Sequence, residues 1–366
     1  MRIRGAVLEE IGRSRPYAGS RPLSVCDLEL DPPGPGELLV RVEVAGVCHS
    51  DLSVVDGNRV RPVPMLLGHE AAGVVERTGP GVDDLAPGRR VVMTFLPRCG
   101  GCDGCATEGV TPCVPGSAAN NDGTLLSGAV RQHRDGARVL HHLGVSAFAT
   151  HVVVDRRSVV PVDADVPPEV AALLGCAVLT GGGAVLNVGR PRPGQTVTVV
   201  GLGGVGMAAL LTALALDGVR VIGVDANPAK LATARELGAH EVYGPADLPG
   251  EADVVVEAAG SARAFETAVS ATAPGGRTVS VGLPAPGARA SISPLALVAG
   301  GRSIVGSYLG SALPARDIPV FARMWREGRL PVERLVSARI GLADINEAMD
   351  QLAEGAALRQ LIVFDG

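Results

Sequence analysis

Residues 199–225, VVGLGGVGMAALLTALALDGVRVIGVD, read as a strand, a glycine turn, an apolar helix and a second strand. Gly201, Gly203 and Gly206 stand in G-x-G-x-x-G spacing, with Gly204 and Val205 between the last two. The first glycine permits a tight turn, the second lets backbone approach a pyrophosphate, and the third packs helix on strand. The helix N-terminus then offers N–H groups and the positive end of its dipole to the phosphates. Such glycines also arise as ordinary packing, so context decides. Asp225 closes the second strand nineteen residues after Gly206, where a carboxylate can accept both ribose hydroxyls. Its charge repels a 2′-phosphate, which favours NAD(H) over NADP(H). Lys230, the only lysine of the chain, follows five residues later, within reach of the same ribose or simply solvated.

Outward from this stretch, apolar strands alternate with helical segments: VRVIGVD (219–225), PAKLATARELGA (228–239), DVVVEAAG (253–260), a helix over 261–273 and RTVSVGL (277–283). That alternation implies a doubly wound parallel sheet with crossover helices, a Rossmann-type domain placed at 178–308. The crossover at 244–252 is too short for a helix, and a loop is expected there. Residues 196–216 are uncharged and long enough to span a bilayer, but strand, glycine turn and helix account for them equally.

Residues 1–177 differ in texture. Short β-type runs, ELLVRVEVAGV (37–47), AAGVVERTG (71–79), RRVVMTF (89–95) and THVVVD (150–155), are separated by Gly, Pro and Asp and imply a mostly antiparallel β domain. After about 308 come amphipathic helical patterns at 318–330 and 342–355 and a last strand, LRQLIVF (358–364); 309–366 are expected to return and complete the first domain. The whole is thus an α/β two-domain chain. A length of 366 residues suits two domains. A net charge of -5 leaves no basic surplus for nucleic acid or a membrane surface, so neither is expected as a partner. The N-terminal stretch has no apolar signal region, which predicts a cytoplasmic protein whose clustered cysteines bind metal rather than pair.

Cys99, Cys102, Cys105 and Cys113 follow C-x2-C-x2-C-x7-C spacing. Four thiolates on one short lobe suit a closed, structural zinc; the spacing differs from those of iron–sulfur proteins, and the lobe lacks the basic face of a nucleic-acid finger. Cys26, Cys48 and Cys176 remain. Catalytic zinc needs three protein ligands and an open position, and Cys48, His69 and Cys176 could supply a Cys2His set. Singly, each also reads as a buried apolar cysteine or a satisfied turn histidine. Cys48 and His49 are not expected to share a metal, since neighbours on a strand face opposite ways.

GVCHSD (46–51), LGHEAAGVVE (67–76), RCGGCDGCATEGVTPC (98–113), LLGCAVLTGGGAV (173–185), GLGGVGMAA (201–209) and VIGVDANPAK (221–230) together resemble the zinc-dependent medium-chain alcohol dehydrogenases, in order and over nearly the whole chain. The resemblance implies a GroES-like catalytic β domain plus the Rossmann domain, and two zinc ions per chain. Cys48, His69 and Cys176 would hold the catalytic one, and the four clustered cysteines the structural one. It implies a catalytic set in which Ser50 takes the alcohol proton, Asp51 orients His69 and Glu70 stands behind the metal. His49 and Arg359 would face the cofactor pyrophosphate, Thr180 the nicotinamide, and Lys230 the ribose. Phe95 and His142 would line the substrate pocket, where His142 would hydrogen-bond a polar substrate or else sit on a surface loop. Many relatives carry a proton-relaying histidine where this chain has Ser53.

The function so implied is NAD-dependent oxidation of an alcohol, or reduction of an aldehyde or ketone. One rival is a dehydrogenase of S-(hydroxymethyl)thiol (formaldehyde) adducts, for which Arg131, Arg134 or Arg138 would supply a carboxylate-binding arginine. A rival of another class is a non-catalytic, nucleotide-binding structural protein. The resemblance also implies a homodimer, or a homotetramer as in bacterial relatives, paired through the strand near GRSIVGS (301–307).

Overall fold

The computed structural model describes residues 1–248 and 250–364; Pro249, within the expected loop, and Asp365 and Gly366 lie outside the described residues. The chain divides into two compact units, one of residues 1–176 and 336–366, the other of residues 177–335.

The first unit contains a closed barrel of strands Arg2–Leu8, Leu23–Leu30, Gln132–Arg134, Ala137–His141 and Met65–Leu66, and a second, seven-stranded sheet. The spine of that sheet is Glu37–Val47, whose alternating apolar side chains are buried on both faces. It pairs antiparallel with Ala71–Thr78, with His151–Asp155 and with the C-terminal strand Arg359–Val363. Ala45 lies opposite Ala71, and Val47 opposite Gln360, so this register delivers Cys48, Glu70 and Arg359 to the same end of three adjacent strands. The unit is mostly antiparallel, as its turn-separated short runs imply. It also contains helices that the β-rich pattern did not suggest, among them Val114–Asp122 and Pro168–Leu174.

In the second unit six parallel strands lie in the order Glu241–Tyr243, Arg220–Val224, Thr196–Val200, Ala252–Glu257, Thr272–Ser280 and Ser303–Gly306. This is the doubly wound order whose switch point lies between the strands that follow one another least directly in sequence. Residues 196–216, long enough for a bilayer, are strand Thr196–Val200, a turn and helix Gly204–Leu214, and their apolar side chains fill the core. Among the described residues no single helix is long and apolar enough to cross a membrane. Glu241–Tyr243 connects to Ala252–Glu257 with no helix among the described residues, as its length requires.

One boundary departs from expectation. Residues 309–335 belong with the second unit rather than returning to the first. Helix Pro314–Arg326 puts the Phe321 ring where a Cβ on Gly182 would stand 2.6 Å away, and Gly310 O is equally close to the corresponding position of Gly183. Arg329 and Arg334 then donate to Ala215 O and Glu236 O, each at 2.6 Å. Only from Val336 does the chain re-enter the first unit, through strand Val336–Ile340 and helix Ile345–Ala353.

His141, fully buried in the barrel wall, is built in as a neutral ring: Nε2 accepts from Arg131 N at 3.1 Å. Burial, with Arg131 and His133 adding to it, pushes its pKa from 6.5 down to about 3. The folded value lies below the unfolded one, so this stabilisation is complete above pH ~6.5 and is lost as pH falls toward ~3, up to about 5 kcal/mol in all. Urea unfolding at a series of pH values should therefore show the His141→Gln variant losing less stability on acidification than the parent. Equal slopes would mean that His141 carries no such penalty.

Candidate active site

Cys48 is the residue at which strand Glu37–Val47 ends and helix His49–Val55 begins. The N-terminus of that helix is closed by Asp51, whose Oδ2 accepts from Cys48 N at 3.1 Å. The other oxygen, Oδ1, reaches across to the second ligand segment, accepting from Gly68 N at 3.3 Å and lying 2.9 Å from His69 Nδ1. Gly68 has a φ of +93°, and a Cβ there would stand 2.4 Å from Phe148 N, so this turn requires glycine. With Nδ1–H given to Asp51, His69 directs its Nε2 lone pair toward Cys176 Sγ at 3.4 Å. Cys176 itself follows helix Pro168–Leu174, held close to the sheet by Gly175, where a Cβ would stand 2.4 Å from Met93 O.

Cys48, His69, Glu70 and Cys176 each bring one donor atom within 4.8 Å of all the others, and all four residues are buried. Tetrahedral zinc with thiolate and imidazole ligands sets sulfur and nitrogen about 3.5 Å apart. The separation of Cys176 Sγ and His69 Nε2 fits that edge. Hydrogen bonding from Cys176, against the opposing effect of burial, holds the Cys48 thiol well below the usual range, while Cys176 is pushed well above it. Burial alone would lower the His69 pKa, but Asp51 reverses that and raises it. Burial raises Glu70 to about 7, partly offset by Arg359. Among the described residues neither Glu70 carboxylate oxygen has a hydrogen-bond partner; Arg359 Nη1 lies 3.6 Å away. The Glu70 carboxylate thus lies within reach of the same centre as Cys48, His69 and Cys176.

The second metal candidate is as well formed. Cys99, Cys102, Cys105 and Cys113 place their sulfurs within 4.8 Å of one another, two pairs at 3.9 Å. A ZnS4 tetrahedron has sulfur–sulfur edges of about 3.8 Å. Backbone N–H groups of Cys99, Gly100, Val114 and Gly116 point at the sulfurs at 3.2–3.4 Å, as thiolates demand.

Ser50 lies beside the first ligand, its Oγ 4.0 Å from Cys48 Sγ. His49 is exposed in the first helical turn, outside the donor set. Cys48 and His49 thus part where a strand gives way to a helix, not through alternating strand faces. Ser53 donates to His49 O at 2.8 Å, a bond internal to the helix. Phe95 and His142 both stack edge-on to His69, with ring centroids 5.5 and 5.6 Å away. His142 is only 1% exposed, so it is no surface-loop histidine, and its Nδ1 lies 3.2 Å from Asp51 Oδ1. That contact had no signal in the sequence. Arg131 and Arg134 are occupied, by Glu37 at 2.7 Å and Glu9 at 2.9 Å, and Arg138 is exposed on strand Ala137–His141.

In the second unit Gly201 adopts a φ of +92°, and a Cβ there would stand 2.5 Å from Ala259 N. A Cβ on Gly206 would overlap Gly201 O at 1.8 Å, whereas one on Gly203 would enter open space, the cradle a pyrophosphate needs. Gly204 and Val205 open the helix behind it. Asp225 accepts from Leu202 N at 2.7 Å and Asn227 N at 2.8 Å, which ties its carboxylate to the glycine turn. Lys230 is in the first turn of helix Pro228–Glu236, half-buried, and Thr180 lies on helix Ala177–Gly183.

Residues 34–164 match the family described as the alcohol dehydrogenase GroES-like domain, and residues 204–326 that described as zinc-binding dehydrogenase. Among solved structures, the chain is similar to an alcohol dehydrogenase zinc-binding domain protein from Burkholderia ambifaria at 31% identity and a TM-score of 0.92, over 100% of both chains. It is similar to benzyl alcohol dehydrogenase from Acinetobacter calcoaceticus at 30% identity and 0.91, again over 100% of both. A cobalt- and zinc-bound thermostable alcohol dehydrogenase from Pyrobaculum aerophilum matches at 27% identity and 0.80, likewise over 100% of both.

The contrast between two glycines gives a test. Gly203→Ala should leave the melting temperature within about 2 °C of the parent, because its side chain meets nothing, yet weaken nicotinamide-dinucleotide binding by roughly tenfold or more. Gly206→Ala should lower both. Unaltered cofactor affinity in Gly203→Ala, read by fluorescence titration, would place the phosphates elsewhere.

Proposed function

Because the chain belongs to the zinc-dependent alcohol dehydrogenases of the medium-chain dehydrogenase/reductase family, we propose that it is an NAD-dependent enzyme interconverting a small alcohol and its aldehyde or ketone. The observation that carries this reading is the buried convergence of Cys48, His69 and Cys176, with Asp51 fixing the imidazole.

Zinc bound by these three side chains supplies a Lewis acid that makes an alcohol proton easier to remove. The nicotinamide supplies the hydride acceptor. The chain's own residues do the rest. Asp51 holds the His69 tautomer, so that Nε2 stays free to ligate. Ser50 receives the alcohol proton beside Cys48. Ser53 is committed to a helix carbonyl, so no side chain at that position takes the proton onward from Ser50. Asp225, held toward the ribose by two backbone N–H groups, supports NAD over NADP, since a 2′-phosphate would face its charge. A zinc at the four clustered cysteines completes two metals per chain and braces the lobe between Cys99 and Cys113.

For the substrate, the Phe95 ring beside His69 supports an apolar substituent, and a primary aromatic alcohol is the first choice. The similarity to a benzyl alcohol dehydrogenase supports the same choice. The thiol-adduct reading loses two of its three arginines, since Arg131 and Arg134 are paired with Glu37 and Glu9, and keeps only the exposed Arg138. Homodimerisation through edge strand Ser303–Gly306 is part of this proposal, supported by the 77% and 78% exposure of Leu295 and Val298 in the preceding helix.

Elemental analysis should find two zinc ions per chain, falling to one in Cys176→Ser and, separately, in Cys105→Ser. A panel of aromatic and aliphatic alcohols followed by NADH absorbance should give turnover in the parent and none in Cys176→Ser. Protein with two zinc ions and no turnover of any alcohol would sink the enzyme reading. Asp225→Ser should reduce the preference for NAD over NADP by at least about tenfold, since about 1.4 kcal/mol of repulsion is removed.

A further inference from the structure

Two carboxylates stand at the carboxyl ends of the parallel strands, and each is engaged by backbone. Asp225, which follows strand Arg220–Val224, accepts from Leu202 N at 2.7 Å and Asn227 N at 2.8 Å. Glu257 closes strand Ala252–Glu257, on the other side of Thr196–Val200, and is 1% exposed. Its Oε1 accepts from Ala259 N at 2.9 Å and Gly260 N at 2.7 Å, and its Oε2 from Ser280 Oγ at 2.9 Å. Ser280 ends the next strand, Thr272–Ser280. One side chain therefore ties together the turns that leave two neighbouring strands. Those turns are also in close contact. A Cβ on Gly282 would stand 2.3 Å from Gly260 N and 2.8 Å from Glu257 Oε1, and one on Gly260, whose φ is +68°, would stand 2.9 Å from Leu283 N. Val281 N and Gly282 N both donate to Glu257 O, at 2.9 and 3.1 Å.

The place gives this junction its meaning. Strand order reverses between Thr196–Val200 and Ala252–Glu257, and a dinucleotide lies across the crevice outside the strand ends at such a switch point. The glycine turn and Asp225 account for one half of the dinucleotide, the phosphates and the adenosine ribose. The other half then passes over the ends of Ala252–Glu257 and Thr272–Ser280. There Ala259 and Leu283 are exposed, Leu283 to 49%, on backbone that Glu257 fixes.

We propose that Glu257 is a positioning residue for the nicotinamide half of the cofactor: it joins turns 258–260 and 281–283 into one preformed wall, as Asp225 braces the adenosine half. Glu257 acts through the backbone it holds. A wall formed in advance needs no ordering when the cofactor binds, whereas loose turns would weaken affinity by the entropy of fixing them. This rests on the reading of the second unit as a nicotinamide-dinucleotide site.

The two halves can be titrated separately, NADH by fluorescence and ADP by calorimetry. ADP carries only the half that meets the glycine turn and Asp225, so it also reports whether a variant is folded. Glu257→Leu leaves three donors without their acceptor; it should weaken NADH binding about tenfold or more while ADP affinity stays within about twofold of the parent. Glu257→Gln keeps a carbonyl oxygen for the two N–H groups and offers an amide N–H to Ser280 Oγ, so it should match the parent for both ligands. Ser280→Ala removes a single hydroxyl and serves where Glu257→Leu does not fold; it should weaken NADH binding about threefold and leave ADP unchanged. Unchanged NADH affinity in these variants, or a parallel loss of ADP and NADH, overturns the proposal. A parent that binds neither ADP nor NADH overturns it differently, by defeating the dinucleotide reading on which it rests.

Discussion

A single buried carboxylate joins the two segments that carry the first two ligands. Asp51 is 0% exposed, and its oxygens are spent on Cys48 N, Gly68 N and His69 Nδ1. Burial opposes its charge, but the two imidazoles beside it more than reverse that, so it stays ionised. The strand register brings Cys48 and Glu70 to one end of the sheet; Asp51 then fixes their distance and the tautomer of the histidine. Without it, the helix at His49 would lose its cap and the imidazole its orientation in the same stroke.

The sheet does a second job at that end. Because Val47 lies opposite Gln360, the C-terminal strand sets Arg359 beneath the ligands, only 2% exposed and 3.6 Å from Glu70. Burial would lower the Arg359 pKa, but Glu70 and the two cysteines raise it, so the guanidinium remains a fixed positive charge. A site so assembled needs the last strand of the chain as much as the first motif, which explains why the return of the chain after residue 335 is structural in the strict sense.

How legible this was depends on range. The dinucleotide loop could be read from residues 199–225 alone because each requirement is local: a positive φ at Gly201, no room for a Cβ at Gly206, open space at Gly203 and a carboxylate at the end of the next strand. The four-cysteine lobe is local in the same way. Cys48, His69 and Cys176 became a set only through family resemblance, since no spacing rule joins segments so far apart. The Asp51–His142 contact was not legible at all, because it depends on the chain returning from a distant segment through a left-handed turn. The boundary of the second unit was misplaced because helix Pro314–Arg326 has the amphipathic pattern of any packing helix; what it packs on, Gly182 and Gly183, is stated nowhere in its own sequence.

Charge balance ties these parts together. In a dry interior each ionised group needs a counter-charge or several donors. A dication held by Cys48 and Cys176 would balance their two thiolates, and Arg359 balances Glu70. Asp51 is left over as the anion of this site without a formal partner, which is why donors gather around it: two backbone amides and the imidazole of His69.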